Sequence, residues 1–175
     1  MMIQDPEVQL IVSIAATLEE RYAKKKLHWR ESPFQWMVVG LPPATKGKVG
    51  ETLVARWCTH KGFAVTKPGD SDADLMISGK RVEVKLSTLW EGGVFKFQQF
   101  RDQDYDYGIC LGISPHDVQC WVIPKEVLLE MAPPQHGGRR GSDTRWLSFP
   151  ASDPPAWLDH YGGRLSEVYK IIGTW

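Results

Sequence analysis

Apolar positions near the start of the chain recur at helical intervals. Ile11, Ile14, Ala15, Leu18 and Tyr22 share one face of a helix predicted from about Glu7 to Lys25. Lys24, Lys25 and Lys26 close it, where the helix dipole favours cations. Residues Ser32 to Lys46, with Pro33, Pro42 and Pro43, read as a linker or irregular strand whose Phe34, Trp36 and Met37 pack on the core or on a second subunit. A second helix is predicted from about Gly47 to Lys61. Leu53 and Trp57 form one row, Val54 and Cys58 the next, and Gly62 is the stop.

From there the period shortens to two, the signature of strands. Phe63 to Thr66 is a strand and Lys67 to Asp72 a turn. Leu75 and Ile77 then alternate, followed across Ser78-Gly79-Lys80 by Val82, Val84 and Leu86. Val94 to Phe97, Tyr107 to Ile113, Val118 to Ile123 and Trp146 to Phe149 are further strands. Pro124 opens a short helix over Lys125 to Met131, proline being favoured at a first helical position. A terminal helical region starts at Pro154, breaks at Gly162-Gly163 and resumes with an apolar stripe of Leu165, Val168, Tyr169 and Ile172. These elements predict an α/β fold with a central mixed sheet flanked by helices. The 175 residues suit a single domain. Within it, 46–123 would form a core, 1–45 an N-terminal helix and linker, and 124–175 a loop and terminal helices.

Composition narrows the function classes. Lys and Arg (21) balance Asp and Glu (21), for no net charge, which argues against a protein that coats nucleic acid non-specifically. Cys58, Cys110 and Cys120 lack a metal-binding spacing and read as buried small hydrophobes in a reducing, cytoplasmic setting. Val8 to Ala16 is too short to cross a bilayer and lacks a basic leader, so no membrane partner is expected. No phosphate-cradling glycine motif occurs, so no nucleotide cofactor is expected either. The five histidines are scattered and asparagine is absent.

The chemistry concentrates at Asp74 to Lys85. Successive strand side chains point to opposite faces, so Glu83 and Lys85 lie side by side, away from Val82, Val84 and Leu86. If the two short strands pair, Asp74 approaches Glu83. Two carboxylates and an ammonium then converge, a site for a divalent cation and a polarised water. Taken alone, Glu83 and Lys85 would be an edge-strand ion pair worth under about 1 kcal/mol.

At these residues the chain resembles the PD-(D/E)xK nuclease superfamily, the fold of type II restriction endonucleases and archaeal Holliday-junction resolvases. The resemblance spans roughly residues 46 to 123. It rests on Asp74, Glu83-Val84-Lys85, an upstream helix carrying Glu51, and a later segment with Gln98 and Gln99. Ala73 stands where the family has proline. Asp70 and Asp72 are rival acids, and Asp74 is preferred because it abuts the apolar strand.

The resemblance implies a restriction-endonuclease-like sheet and a catalytic set of Glu51, Asp74, Glu83 and Lys85. It implies Mg2+, with Mn2+ as a substitute, held by Asp74, Glu83 and the Val84 carbonyl. Contacts to double-stranded DNA are expected from Ser87, Thr88, Gln98, Gln99 and Arg101. They are also expected from His136, Arg139, Arg140 and Arg145 in the long polar loop between Pro133 and Arg145, where glycine-flanked arginines suit a DNA groove. The expected activity is Mg-dependent DNA cleavage by a sequence-specific restriction-type homodimer. The rivals are a structure-selective nuclease, such as a junction resolvase or repair nickase, and a non-catalytic DNA-binding subunit of the same fold.

Overall fold

The computed structural model describes residues 5–23, 29–135 and 144–175. Helix α1 spans Pro6–Ala23. The three lysines read as its basic end lie outside the described residues. The segment read as a linker is more ordered than its prolines suggest, for α2 covers Gln35–Val39 and α3 runs over Pro43–His60. Helix α3 therefore begins four residues before Gly47. Pro43 sits at its first turn, where a missing N–H costs nothing.

Six strands form the main sheet, in the order β1-β2-β3-β5-β6-β9. Strands β1 (Val65–Thr66) and β2 (Leu75–Ile77) lead to β3 (Lys80–Thr88). Ser78 (φ 49°) and Gly79 (φ 84°) connect β2 to β3. Two successive residues with positive φ make the tight hairpin turn whose twist matches its strands. Strand β3 pairs in parallel with β5 (Tyr107–Ile113), which pairs antiparallel with β6 (Val118–Pro124). The short strand β9 (Gly162–Gly163) closes the far edge. The sheet is thus mixed, as expected, and β3 lies in its interior.

Both faces of this sheet are buried. Val82, Val84, Ile109, Leu111 and Val122 pack on one face against α3 and α5 (Leu165–Ile172), with Met37 and Trp29 closing the end. The opposite face carries Cys110, Trp121 and Ile123. It is covered by a second sheet, β4-β8-β7 (Val94–Phe100, Thr144–Pro150 and Pro134–Gln135), and by α4 (Lys125–Met131). Phe95, Phe97, Trp121 and Phe149 form an edge-to-face cluster there, with ring centroids 5.1 to 6.4 Å apart. Gly112 makes room for it, since a Cβ there would meet the Phe95 ring at 2.7 Å. Among the described residues, no helix is long and apolar enough to cross a membrane.

Candidate active site

The hairpin places the first acid. Leu75 pairs with Val82, so Asp74 falls opposite Glu83, and its N–H donates to the Val82 carbonyl at 2.9 Å. The Val84 N–H in turn donates to Asp74 Oδ2 at 2.8 Å. The main chain of β3 thereby fixes the Asp74 carboxylate at the strand rim.

Glu83 lies deeper than a strand-edge position allows. It is 9 % exposed, because β3 is flanked on both sides and its Glu83 face is roofed by the second sheet. Lys85 Nζ donates to Glu83 Oε1 at 2.5 Å. Burial raises the Glu83 carboxyl above its ordinary range, and the neighbouring Asp74 adds to that, while the Lys85 charge works in the opposite direction. The pair is therefore not the solvated edge pair that Glu83 and Lys85 alone suggest. The Tyr105 hydroxyl is buried in the same region without a hydrogen-bond partner among the described residues. Burial, then the Glu83 charge, push its pKa up, so the phenol holds its proton more firmly than usual.

In front of this buried pair a cleft of about 750 Å³ opens between α3, β3 and β4. Glu51, Asp74, Val84 and Lys85 line it, together with Ser87, Thr88, Gln98 and Gln99. Glu83 does not. The Val84 side chain is in the core, so Val84 reaches the cleft through its main chain. Glu51 comes from α3 and accepts from Lys48 Nζ at 3.1 Å. It reaches the cleft because Gly50 lets the helix touch β3. A Cβ at Gly50 would stand 2.7 Å from Leu86 Cβ.

The glutamines arrive by a break in β4. Phe97 pairs with Leu147 but Phe100 pairs with Arg145, so β4 holds one residue more than its partner across this interval. Gln99 takes φ 64° at the bulge. Bulges re-aim side chains, and this one brings Gln99 to the cleft beside Gln98, which strand alternation already places there. Ser87 Oγ is occupied locally, accepting from the Lys96 N–H at 2.9 Å and donating to the Thr88 carbonyl at 3.1 Å.

Other sequence-selected residues lie elsewhere. Arg101 follows β4 and is exposed, outside the cleft lining. Arg145 Nη1 donates to the Ala132 carbonyl at 3.0 Å, tying β8 to the end of α4. His136, Arg139 and Arg140 lie outside the described residues. The rival acids are explained locally. Asp70 Oδ1 accepts from Arg81 Nη2 at 2.6 Å, which holds its carboxyl below the usual range, and Asp72 Oδ1 accepts from Gln103 Nε2 at 3.4 Å.

Lys46, Lys96 and Trp90 also line the cleft and were not singled out from the sequence. A signal for Lys96 was present. Phe95 and Phe97 face the core, so Lys96 and Gln98 share the other side of β4.

Among the described residues, no three or more His, Cys, Asp or Glu side chains gather as a metal-ligand cluster. The oxygen donors at hand are the Asp74 and Glu51 carboxylates and the Val84 main chain, with Glu83 beneath. That set fits a magnesium-like ion, which uses one or two carboxylates and takes its remaining oxygens from water and substrate phosphate.

No protein-family profile matches the chain, and no curated protein matches it. Among solved structures, the chain is similar to a bacterial homing endonuclease, I-Ssp6803I. The TM-score is 0.50 and the identity 17%, over 76% of this chain and 95% of the other. At that identity the likeness is one of fold: the mixed α/β architecture built around β3 is shared with this homing endonuclease.

Proposed function

We propose that the chain is a divalent-cation-dependent endonuclease that hydrolyses DNA phosphodiester bonds in the cleft between α3, β3 and β4. The observation that carries this reading is the convergence on one cleft of Glu51 from α3, Asp74 from the residue before β2, Lys85 from β3, and Gln98 and Gln99 from β4. The solved relative in fold is by name an endonuclease, which agrees with the reading.

The residues divide the work by their chemistry. Asp74, Glu83 and the Val84 carbonyl would hold the cation, Mg2+ with Mn2+ as substitute, and Glu51 would be the outer acid. Bound there, such an ion neutralises the phosphate and acidifies water. Lys85 is held in place by Glu83 beneath it. From there its ammonium orients the attacking water and offsets negative charge that grows on the phosphate oxygens. Gln98 and Gln99 present amide donors to the same phosphate. Ser87 and Thr88 shape the floor, and Lys46 and Lys96 supply positive charge for neighbouring phosphates.

The finer reading is a restriction-type enzyme that acts as a homodimer on a two-fold site. Gel filtration that returns only a monomer, with nicking as the sole product, would remove it. The central test is cleavage of plasmid DNA with magnesium by wild type, Asp74→Ala and Lys85→Ala. Cleavage should fall by two or more orders of magnitude in each variant while circular dichroism is unchanged. A wild type inert on duplex and branched DNA with either ion would leave the non-catalytic subunit as the better reading.

A further inference from the structure

We infer that the cleft has a stacking subsite built on Trp90, and that it takes an unstacked nucleotide of a DNA strand beside the phosphate to be cut. Trp90 follows the end of β3, in the connection to β4, and lines the cleft. Trp90 is 47% exposed, and of the two strongly exposed tryptophans, Trp36 being the other, it is the one that lines the cleft.

The exposed ring is held, not loose. The Trp90 N–H donates to the Val94 carbonyl at 2.9 Å, and its carbonyl accepts from the Gly93 N–H at 3.1 Å. The turn needs φ of 86° at Gly92 and 75° at Gly93, conformations that glycine adopts at no steric cost. Lys96 Nζ sits 4.5 Å from the centre of the ring. That ammonium lies over one face of the indole and steadies it, so a base would stack on the opposite face. Lys46 lines the same cleft.

An aromatic plane on an anchored turn, with one ammonium over its face and a second lining the same cleft, matches the chemistry of a nucleotide. The base stacks on the ring and the phosphates meet the lysines. Inside a duplex both faces of every base are covered by neighbours, so Trp90 has nothing to stack on. A gap, a flap, a bulge or an extruded base offers a free face, and distorted sites expose one at the least energetic cost. The subsite therefore favours DNA with an unpaired nucleotide over continuous duplex, and at a two-fold duplex site it is filled only by a base that the protein extrudes. The position of that nucleotide beside the scissile phosphate rests on the nuclease reading above. The stacking itself does not.

The experiment measures binding in EDTA, where no cleavage occurs. Two DNA probes of one sequence carry 2-aminopurine, either unpaired in a one-nucleotide bulge or fully paired. Wild type should bind the bulged probe more tightly and quench its fluorescence. Trp90→Ala should weaken bulge binding on the order of ten-fold or more, abolish quenching and leave paired-probe binding unchanged, while Trp90→Phe recovers most of the loss. Equal weakening on both probes, no weakening on either, or an unquenched bulge on saturated wild-type protein would each overturn the inference. The wild-type quenching needs no variant to fold. Magnesium cleavage assays, run separately, decide the nuclease reading whichever way the binding falls.

Discussion

Gly50 is where the closeness of α3 to β3 can be tested with one methyl group. A Cβ there would lie 2.7 Å from Leu86 Cβ, whereas carbon atoms rest at about 3.5–4.0 Å. Roughly 1 Å of separation must be found. Leu86 Cβ cannot swing away, because it is bonded to the main chain of a strand that is paired there with Leu111 in β5. The helix has to move. Overpacking of this kind costs about 1–3 kcal/mol, against a gain of up to about 1 kcal/mol for alanine over glycine in a helix. Gly50→Ala should thus lose about 1–2 kcal/mol. Gly47, in the same helix, has nothing within 4 Å of its Cβ position, and Gly47→Ala should gain about 0.5–1 kcal/mol. At about 2–4 °C per kcal/mol for a chain of this length, the two variants should separate by several degrees in thermal melts and move in opposite directions. Glu51 follows Gly50, so Gly50→Ala should also lower cleavage measured well below its melting point. A Gly50→Ala protein as stable as Gly47→Ala would refute the close approach and with it the account of how Glu51 reaches the cleft.

Gln99 holds φ 64° at the bulge, so Gln99→Gly should leave stability unchanged or raise it by up to about 1 kcal/mol. Gln98→Gly in ordinary strand geometry should lower it by about 0.5–1 kcal/mol; urea denaturation of the pair checks the contrast, and a larger loss at Gln99 would count against it. The three buried cysteines should be silent toward Ellman's reagent at pH 8 until denaturant is added. Burial pushes the Cys58 thiol up to about 12 and raises Cys110 and Cys120 as well, so fast labelling of the native protein would contradict their placement. Because burial raises the Glu83 carboxyl, the folded state keeps that proton at a pH where the unfolded chain has lost it. Stability from this group is therefore greatest at low pH and declines as pH climbs from 4.5 through the folded value. Glu83→Gln should flatten that part of a stability-versus-pH curve, and an unchanged slope would show that Glu83 is not the group responsible.

The sequence alone carried those features that depend on near neighbours. Strand β5 and helix α4 lie at Tyr107–Ile113 and Lys125–Met131, where a strongly apolar run and a leading proline indicate them. The meeting of Asp74 with Glu83 was legible because a two-residue turn at Ser78-Gly79 sets the register of everything beside it. Helix α3, by contrast, starts at Pro43 and α2 fills a stretch that its prolines marked as irregular, since a hydrophobic pocket for Met37 outweighs weak local preference.

Contacts between distant segments settled the rest. Only the parallel pairing of β3 with β5, and the second sheet laid over it, place Glu83 beneath the cleft floor and leave Asp74 at the rim. Only the mismatch between β4 and β8 brings Gln99 to the cleft beside Gln98, and only the packing of α3 against Leu86 brings Glu51 across. Side-chain periodicity states which face a residue takes. What covers that face is decided by chain that is remote in sequence, and that covering determines whether a carboxylate is solvated, buried or ready for a ligand.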